Sequence, residues 1–209
     1  MVGRWETEHR KDYFYRQAKL EGYRSRAAYK LLQANRRYHF ITQGDTVLDL
    51  GCTPGGWLQV AGEIVGPTGY VLGIDVKPIE PLKNPNIQFM EFDISNAEFP
   101  RKVMAAIGRK VDVVLSDASP NISGVWEVDH TRQIDLAGST MSIARFTLQT
   151  NGNYFVKVFD GPLIKKFTAQ VKQHFSEVRV MKPQASRSRS AEHYILAKKL
   201  RKFKPSTEG

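Results

Sequence analysis

Residues 48–57, LDLGCTPGGW, place three glycines and a proline at the end of a short apolar run. Glycines there let the backbone come close to a ligand and take up positive φ, which a Cβ opposes. A helix starting just beyond such a turn favours an anionic group at its N-terminus. Carboxylates end the next two apolar runs: Asp75 in GID (73–75) and Asp93 in EFD (91–93). An acid about 20 residues after the glycines can accept both hydroxyls of an adenosine ribose. Ligands of open α/β sheets bind outside the carboxyl ends of the strands. Gly55, Gly56, Asp75 and Asp93, taken in order, therefore point to a nucleoside cofactor rather than to a glycine kept for packing. The spacing is G-x-x-P-G-G; GxGxxG is absent, which disfavours a nicotinamide dehydrogenase, and the phosphate loop GxxxxGK[ST] is absent too.

These residues need a sheet to hold them. Apolar runs at 46–50, 69–76, 87–92, 111–117, 153–159, 177–182 and 193–198 read as strands. Helical stretches at 57–65, 97–108, 132–150 and 162–174 separate most of them. Alternation of this kind predicts a mainly parallel sheet with helices on both faces, and continuous runs such as VDVVL suit strands covered on both sides. The link PQASRSRSAE (183–192) is too short for a helical crossover, so the last two strands should pair antiparallel. The expected fold is α/β, doubly wound, with seven strands. Ahead of it, 9–21 reads as a polar helix broken at Gly22, and Ser25 can cap a second helix over 26–38.

Length and charge bound the rest. The 209 residues suit one domain, with basic helices over about 1–40 and a basic tail over about 199–209. One cysteine, Cys52, excludes an internal disulfide and a cysteine-rich zinc site. No run approaches the ~20 apolar residues of a membrane helix, and the N-terminus has no apolar stretch of a secretory signal, so the expected compartment is the cytoplasm. Net charge is +10, unevenly spread. Residues 1–40 carry ten basic and four acidic side chains; residues 41–178 carry twelve and fifteen; the remainder carry nine and two. A mildly acidic middle between two basic ends fits a polyanionic partner, nucleic acid before membrane.

Four segments together, LDLGCTPGGW, SDASPNISG, FVKVF and SRSRSAEHY, resemble the FtsJ/RrmJ family of S-adenosylmethionine-dependent RNA ribose 2'-O-methyltransferases. Within it, the chain is most similar to the branch that methylates a uridine of large-subunit (23S) ribosomal RNA. The likeness runs from RSRAAYKL (24–31) to YILAKK (194–199). It departs at Cys52-Thr53, where the family usually has two alanines; both residues are small, so cofactor binding should survive. The resemblance implies a Rossmann-like class I methyltransferase fold and a cofactor site built from Gly55, Trp57, Asp75, Asp93 and Asp117. A transfer-RNA or messenger-cap ribose methyltransferase would share the motifs, and an RNA-binding module without turnover is the alternative of a different class.

The resemblance also implies a catalytic tetrad: Lys30 in SRAAYKL, Asp117 in SDASPN, Lys157 in FVKVF and Glu192 in SAEHY. Lys157 lies inside an apolar strand, where a lysine is expensive to bury without a partner or a role. Burial and a second cation, Lys30, favour its neutral form, so its pKa is expected to fall and the amine to accept the proton of a ribose 2'-hydroxyl. Asp117 ends the fourth strand, between cofactor and substrate. Glu192 can orient a lysine or the hydroxyl. The implied reaction is an in-line displacement that needs no metal, since the leaving group departs as a neutral thioether. Phosphate contacts are expected from Arg24, Arg26, Arg36 and Arg37 of the N-terminal helices and from Arg187 and Arg189 of the loop SRSRS. Residues 118–133 are expected to form a substrate loop, and the partner is ribosomal RNA or the large subunit, bound by a monomer.

Overall fold

The computed structural model describes residues 13–187 and 190–202. The first dozen residues, Arg189 and the tail beyond 202 lie outside the described residues, and with them part of the expected N-terminal helix and basic tail. Seven strands form one sheet: β1 (Thr46–Leu50), β2 (Tyr70–Asp75), β3 (Ile87–Glu91), β4 (Val111–Ser116), β5 (Leu148–Phe159), β6 (Phe175–Met181) and β7 (Glu192–Leu200). Their order is β3-β2-β1-β4-β5-β7-β6. β1 to β5 pair in parallel, and β7 runs antiparallel to both β5 and β6. The doubly wound seven-stranded α/β sheet with an antiparallel last strand is the fold expected from the sequence.

Helices cover both faces. Residues 13–20 form α1 within the described range, followed by α2 (Ala28–Tyr38), α3 (Gly56–Val65), α4 (Phe99–Ile107), α5 (Trp126–Thr147) and α6 (Ile164–His174). One core packs α2 and α3 through Leu31, Trp57 and Leu58 against Val47, Val71 and Phe155; the other packs α4, α5 and α6 through Val103, Ala144 and Phe167 against Leu50, Ile74 and Val156. Successive strand residues point to opposite faces. On β5, Phe155 therefore faces α2 and α3 while Val156 and Val158 face α5. Lys157 shares the parity of Phe155 and turns toward α2. On β7, Tyr194 and Leu196 lie on that same face, and Glu192 shares their parity. Register places Lys157 directly opposite Tyr194, and Phe159 opposite Glu192.

Four local expectations need correction. α5 starts at Trp126, six positions ahead of the expected 132, so the irregular segment is only 118–125. The buried Asp129 carboxylate explains this: it accepts Ser123 N at 2.7 Å, Ser123 Oγ at 2.7 Å and Gly124 N at 3.0 Å, tying the loop onto the first helical turn. β5 begins at Leu148 rather than 153; Asn151 at φ 67° and the register shift against β4 absorb the Asn-Gly pair that reads as a turn. Ser25 does not cap α2. Ala28 N bonds the Ser25 carbonyl at 3.2 Å, while Ser25 Oγ is buried without a hydrogen bond, against Gly56. Trp57 is a core side chain: it is 3% exposed, its Nε1 donates to Ala27 O at 2.8 Å, and its ring stacks on Phe155 at 5.5 Å.

Trp57 thus fastens the segment before α2 to α3 and the sheet. A Trp57→Ala variant should lose about 3–5 kcal/mol of unfolding free energy, the usual cost of emptying such a site. Urea denaturation followed by circular dichroism measures it; a loss below about 1 kcal/mol would mean that the contact does not hold α2 in place.

Candidate active site

The glycine turn and the carboxyl ends of the strands enclose a cleft of about 660 Å³, lined by Gly51, Thr53, Asp75, Asp93 and Asp117 among others. That volume lies within the range of small-molecule sites. Two glycines shape it. Gly51 has φ 75°, and a Cβ there would fall 2.7 Å from the Ala118 backbone, so the turn and the loop after β4 touch. Gly55 has φ 105°, and the α3 amides beyond it at Gly56 and Trp57 begin the helix without intrahelical acceptors. Arg24 supports the turn from outside by donating to Pro54 O at 3.3 Å and Pro81 O at 2.8 Å.

The acids of the cleft differ in how they are held. Asp75 accepts Thr53 N at 2.9 Å on one oxygen and Lys77 N at 3.0 Å on the other, leaving each oxygen a further lone pair for a ligand. Asp93 accepts Ser95 N at 2.8 Å, and that backbone bond holds its exposed carboxyl below the usual range. Thr53 Oγ1 donates to Lys77 O at 3.1 Å, joining the turn to the end of β2; Cys52 is buried beside Gly73, and burial pushes its thiol up. Of the expected cofactor residues, Asp75, Asp93 and Asp117 line the cleft, and Gly55 and Trp57 do not.

One acid escaped the sequence reading. Asp49, on β1 beneath the turn, is fully buried and neither carboxyl oxygen has a partner. Burial first, then the charges of Asp117 and Asp75, hold its carboxyl well above its ordinary value. A buried acid flanked by two cleft carboxylates suits a cationic ligand.

At the other end of Asp117 the reacting groups gather. Lys157 is 4% exposed; its Nζ lies 3.3 Å from Asp117 Oδ1 and donates to Asp117 O at 2.6 Å. Tyr194 donates its hydroxyl to the same Oδ1 at 2.8 Å. Lys30, 7% exposed, reaches from α2 to Glu192 Oε2 at 2.9 Å, and its ammonium sits 5.5 Å over the Tyr194 ring. Lys30, Asp117, Lys157 and Glu192 are therefore in one cluster, as two ion pairs bridged by Tyr194. Burial alone would raise the Asp117 carboxyl, but the Lys157 and Lys30 charges and the bonds from Tyr194 and Lys157 outweigh it and hold it below the usual range. Burial, then Asp117 and Glu192, push the Tyr194 hydroxyl well up, so it remains a donor. Gln133 of α5 fixes the strand from behind by donating to Lys157 O at 3.0 Å.

The arginines fall into two groups. Arg24 serves the turn, and Arg26 donates to Ala185 O at 2.6 Å, which docks the segment before β7 on α2. Arg36, Arg37 and Arg187 are exposed, and Arg189 lies outside the described residues. Trp126, 43% exposed at the start of α5, stacks on Phe159 and His130 beside the cluster. Nothing in its spacing marked it. Tyr194 is a buried strand tyrosine whose bond to Asp117 had no sequence signal. Among the described residues no group of three His, Cys, Asp or Glu side chains could hold a metal, and no helix is long and apolar enough to cross a membrane.

The sequence model of the FtsJ-like methyltransferases matches residues 23–200, all of the sheet and all of the cluster. The chain belongs to that family. Its relatives include proteins named ribosomal RNA large subunit methyltransferase E. One from Archaeoglobus fulgidus is 51% identical over 93% of this chain and 98% of its own. Another, from Methanococcus aeolicus, is 44% identical over 98% of this chain and 77% of its own. A solved ribosomal RNA methyltransferase from Plasmodium falciparum superposes with a TM-score of 0.77 at 30% identity, covering 85% of this chain and 98% of that one. Fibrillarin from Aeropyrum pernix, solved with S-adenosylmethionine, shares the fold at a TM-score of 0.57 and 19% identity, covering 84% and 75%. Seen as an FtsJ-like methyltransferase, the chain carries Cys52-Thr53 without distortion of the turn, because Thr53 bonds across to β2 and Cys52 fills the space over Gly73.

The position of Asp49 gives a pH test. A carboxyl held above its ordinary 3.8 stabilises the fold fully below that value, and the contribution is lost as pH rises through the raised pKa. Asp49→Asn removes the titration. Relative to wild type, the variant should therefore gain stability as pH rises from about 4, read by urea denaturation at successive pH values. A difference that stays constant with pH would contradict a protonated Asp49.

Proposed function

We propose that this methyltransferase modifies a ribose 2'-hydroxyl of large-subunit (23S) ribosomal RNA, uridine being the target base the resemblance implies, with S-adenosylmethionine as methyl donor and Lys157 as proton acceptor. The observation that carries the reading is the closed set Lys157–Asp117–Tyr194 and Lys30–Glu192 at the lip of the cleft that Asp117 also lines. The names of the relatives support the RNA substrate. The donor fits the cleft: Asp75 offers lone pairs for ribose hydroxyls, Asp93 stands at the next strand end, the α3 start favours a carboxylate, and the carboxylates of Asp75 and Asp117 favour positive charge. Bound there, S-adenosylmethionine supplies a methyl group on a cationic sulfur.

The chain's own residues then hold and move one proton. Lys157 rests in an ion pair with Asp117, and to accept a proton it must enter the reaction as the free amine, which has two N–H groups and a lone pair. The two N–H groups match the two Asp117 oxygens within reach, and the lone pair is left for the sugar hydroxyl. Asp117 remains ionised and aims the amine, while Tyr194 fills a second acceptor direction on Oδ1. Lys30, steered by Glu192, places a positive charge over the Tyr194 ring, where it lowers the energy of negative charge developing on the attacking oxygen. Positioning is the larger contribution, up to ~7–11 kcal/mol, and the base adds about 10²–10⁴-fold. Trp126 offers a ring face to a base near Lys157, and Arg187, Arg36 and Arg37 offer charge to phosphates. A second subunit is not needed to complete this set, and the reading includes a monomer acting on ribosomal RNA in the cytoplasm.

Lys157→Ala should retain S-adenosylmethionine binding, read by calorimetry, and lose methyl transfer by at least about 10²-fold. The variant leaves Asp117 unpaired in a buried site, so its melting temperature falls, and transfer is read below the onset of unfolding. Transfer within a few-fold of wild type would refute the base assignment. Arg187→Ala should weaken RNA binding and reduce the slope of log affinity against log salt by about 0.7–0.9, the share of one phosphate; an unchanged slope would remove Arg187 from the interface.

A further inference from the structure

A second large cleft lies at the opposite end of the strands, where none of the family motifs fall. It holds about 1000 Å³ and is lined by Lys110, Arg145, Phe146, His174, Arg201 and Lys202 together with polar and apolar groups, and by no carboxylate among the described residues. Its walls come from four elements. Lys110 precedes β4, Arg145 and Phe146 end α5, His174 ends α6, and Arg201 and Lys202 follow β7. Arg201 N donates to His174 O at 2.8 Å, which fixes the chain after β7 as a wall of the cleft. Phe146 is 48% exposed, and the Lys110 ammonium lies 4.9 Å over its ring while donating to its carbonyl. Burial and then the Arg145 charge hold the His174 imidazole below its ordinary value, so it lines the cleft as a neutral ring.

Helix C-termini attract cations, and that accounts for Arg145 at the end of α5. It does not account for Lys110, Arg201 and Lys202, which come from strand ends. Four Lys and Arg side chains around an open cleft, with an exposed aromatic ring among them and no acid among the described lining residues, form the combination that grips a phosphate backbone and stacks a base. β4 has Lys110 at its start and Asp117 past its end, and its six residues span about 20 Å. The cleft is therefore too far away to touch the nucleotide that reacts.

We infer that this cleft is a second RNA-binding site, taking the phosphates and an exposed base of a segment remote from the methylated ribose. The inference rests on RNA being the substrate. It implies that the enzyme grips a folded RNA at both ends of its central strands, and that short substrates use only one of the two grips.

The test compares two probes in fluorescence-anisotropy titrations: a large-subunit ribosomal RNA transcript, and an oligouridylate too short to reach from one end of the strands to the other. Arg145→Glu/Arg201→Glu/Lys202→Glu should bind the transcript about tenfold or more weakly, with a salt slope shallower by roughly 2, while oligouridylate affinity and S-adenosylmethionine binding stay within about twofold. Lys83→Glu/Arg101→Glu/Lys165→Glu carries the same charge change on exposed positions elsewhere and should lose much less. Unchanged transcript binding, an equal loss on both probes, or an equal loss in the control variant would each overturn the inference. Methyl transfer to the transcript is read separately: wild-type protein that binds it without methylating it refutes the proposed reaction, and the titrations still decide the cleft.

Discussion

Everything at the reacting end depends on the desolvation of one carboxylate. Asp117 lies at the end of β4 with Lys157 and Tyr194 on a single oxygen and a second lysine nearby. Buried charge is tolerated when it is paired and hydrogen-bonded, and breaking a buried pair is strongly destabilising. Two lysines and two acids, each matched, leave the cluster close to neutral. In the reaction proposed above, the arrangement that makes the cluster tolerable also aims an amine and an ammonium at the place where a sugar hydroxyl would enter. Stability and chemistry are thus satisfied by one set of contacts.

Strand parity is what assembles that set. Lys157, Glu192 and Tyr194 point to the α2 face because they fall on the same side of the pleat, and α2 carries Lys30 to meet them. The other half of the site follows from a different geometry. The glycine turn, Asp75 and Asp93 sit at successive strand ends, and Asp117 belongs to both halves. A shift of β5 or β7 by one residue would send Lys157 or Glu192 into the opposite core.

Much of this was legible in the sequence, for identifiable reasons. Doubly covered strands leave continuous apolar runs, and the short link before β7 forced an antiparallel pair, so the sheet could be read. The glycine turn and the acids at strand ends could be read because they occur at element boundaries. Residues whose role depends on long-range contact could not. Trp57 follows the glycines in sequence, but its ring is drawn into the core by Ala27 and Phe155. Arg24 looked like an RNA contact, yet it bonds two loop carbonyls. The early start of α5 depends on Asp129 gathering the loop ahead of it, a contact invisible to helical periodicity. Asp49 looked like an ordinary residue of TVLDL, and only its lack of partners distinguishes it.

The strand order has a consequence for how the protein comes into being. β7 is inserted between β5 and β6, although it is made after both. Until it emerges from the ribosome, β6 has no neighbour in the sheet and Lys30 has no Glu192, its partner 162 positions further on. The residues of the nucleotide cradle are therefore synthesised well before the last partner of the reacting centre, and the cluster cannot close until the C-terminal strand is made.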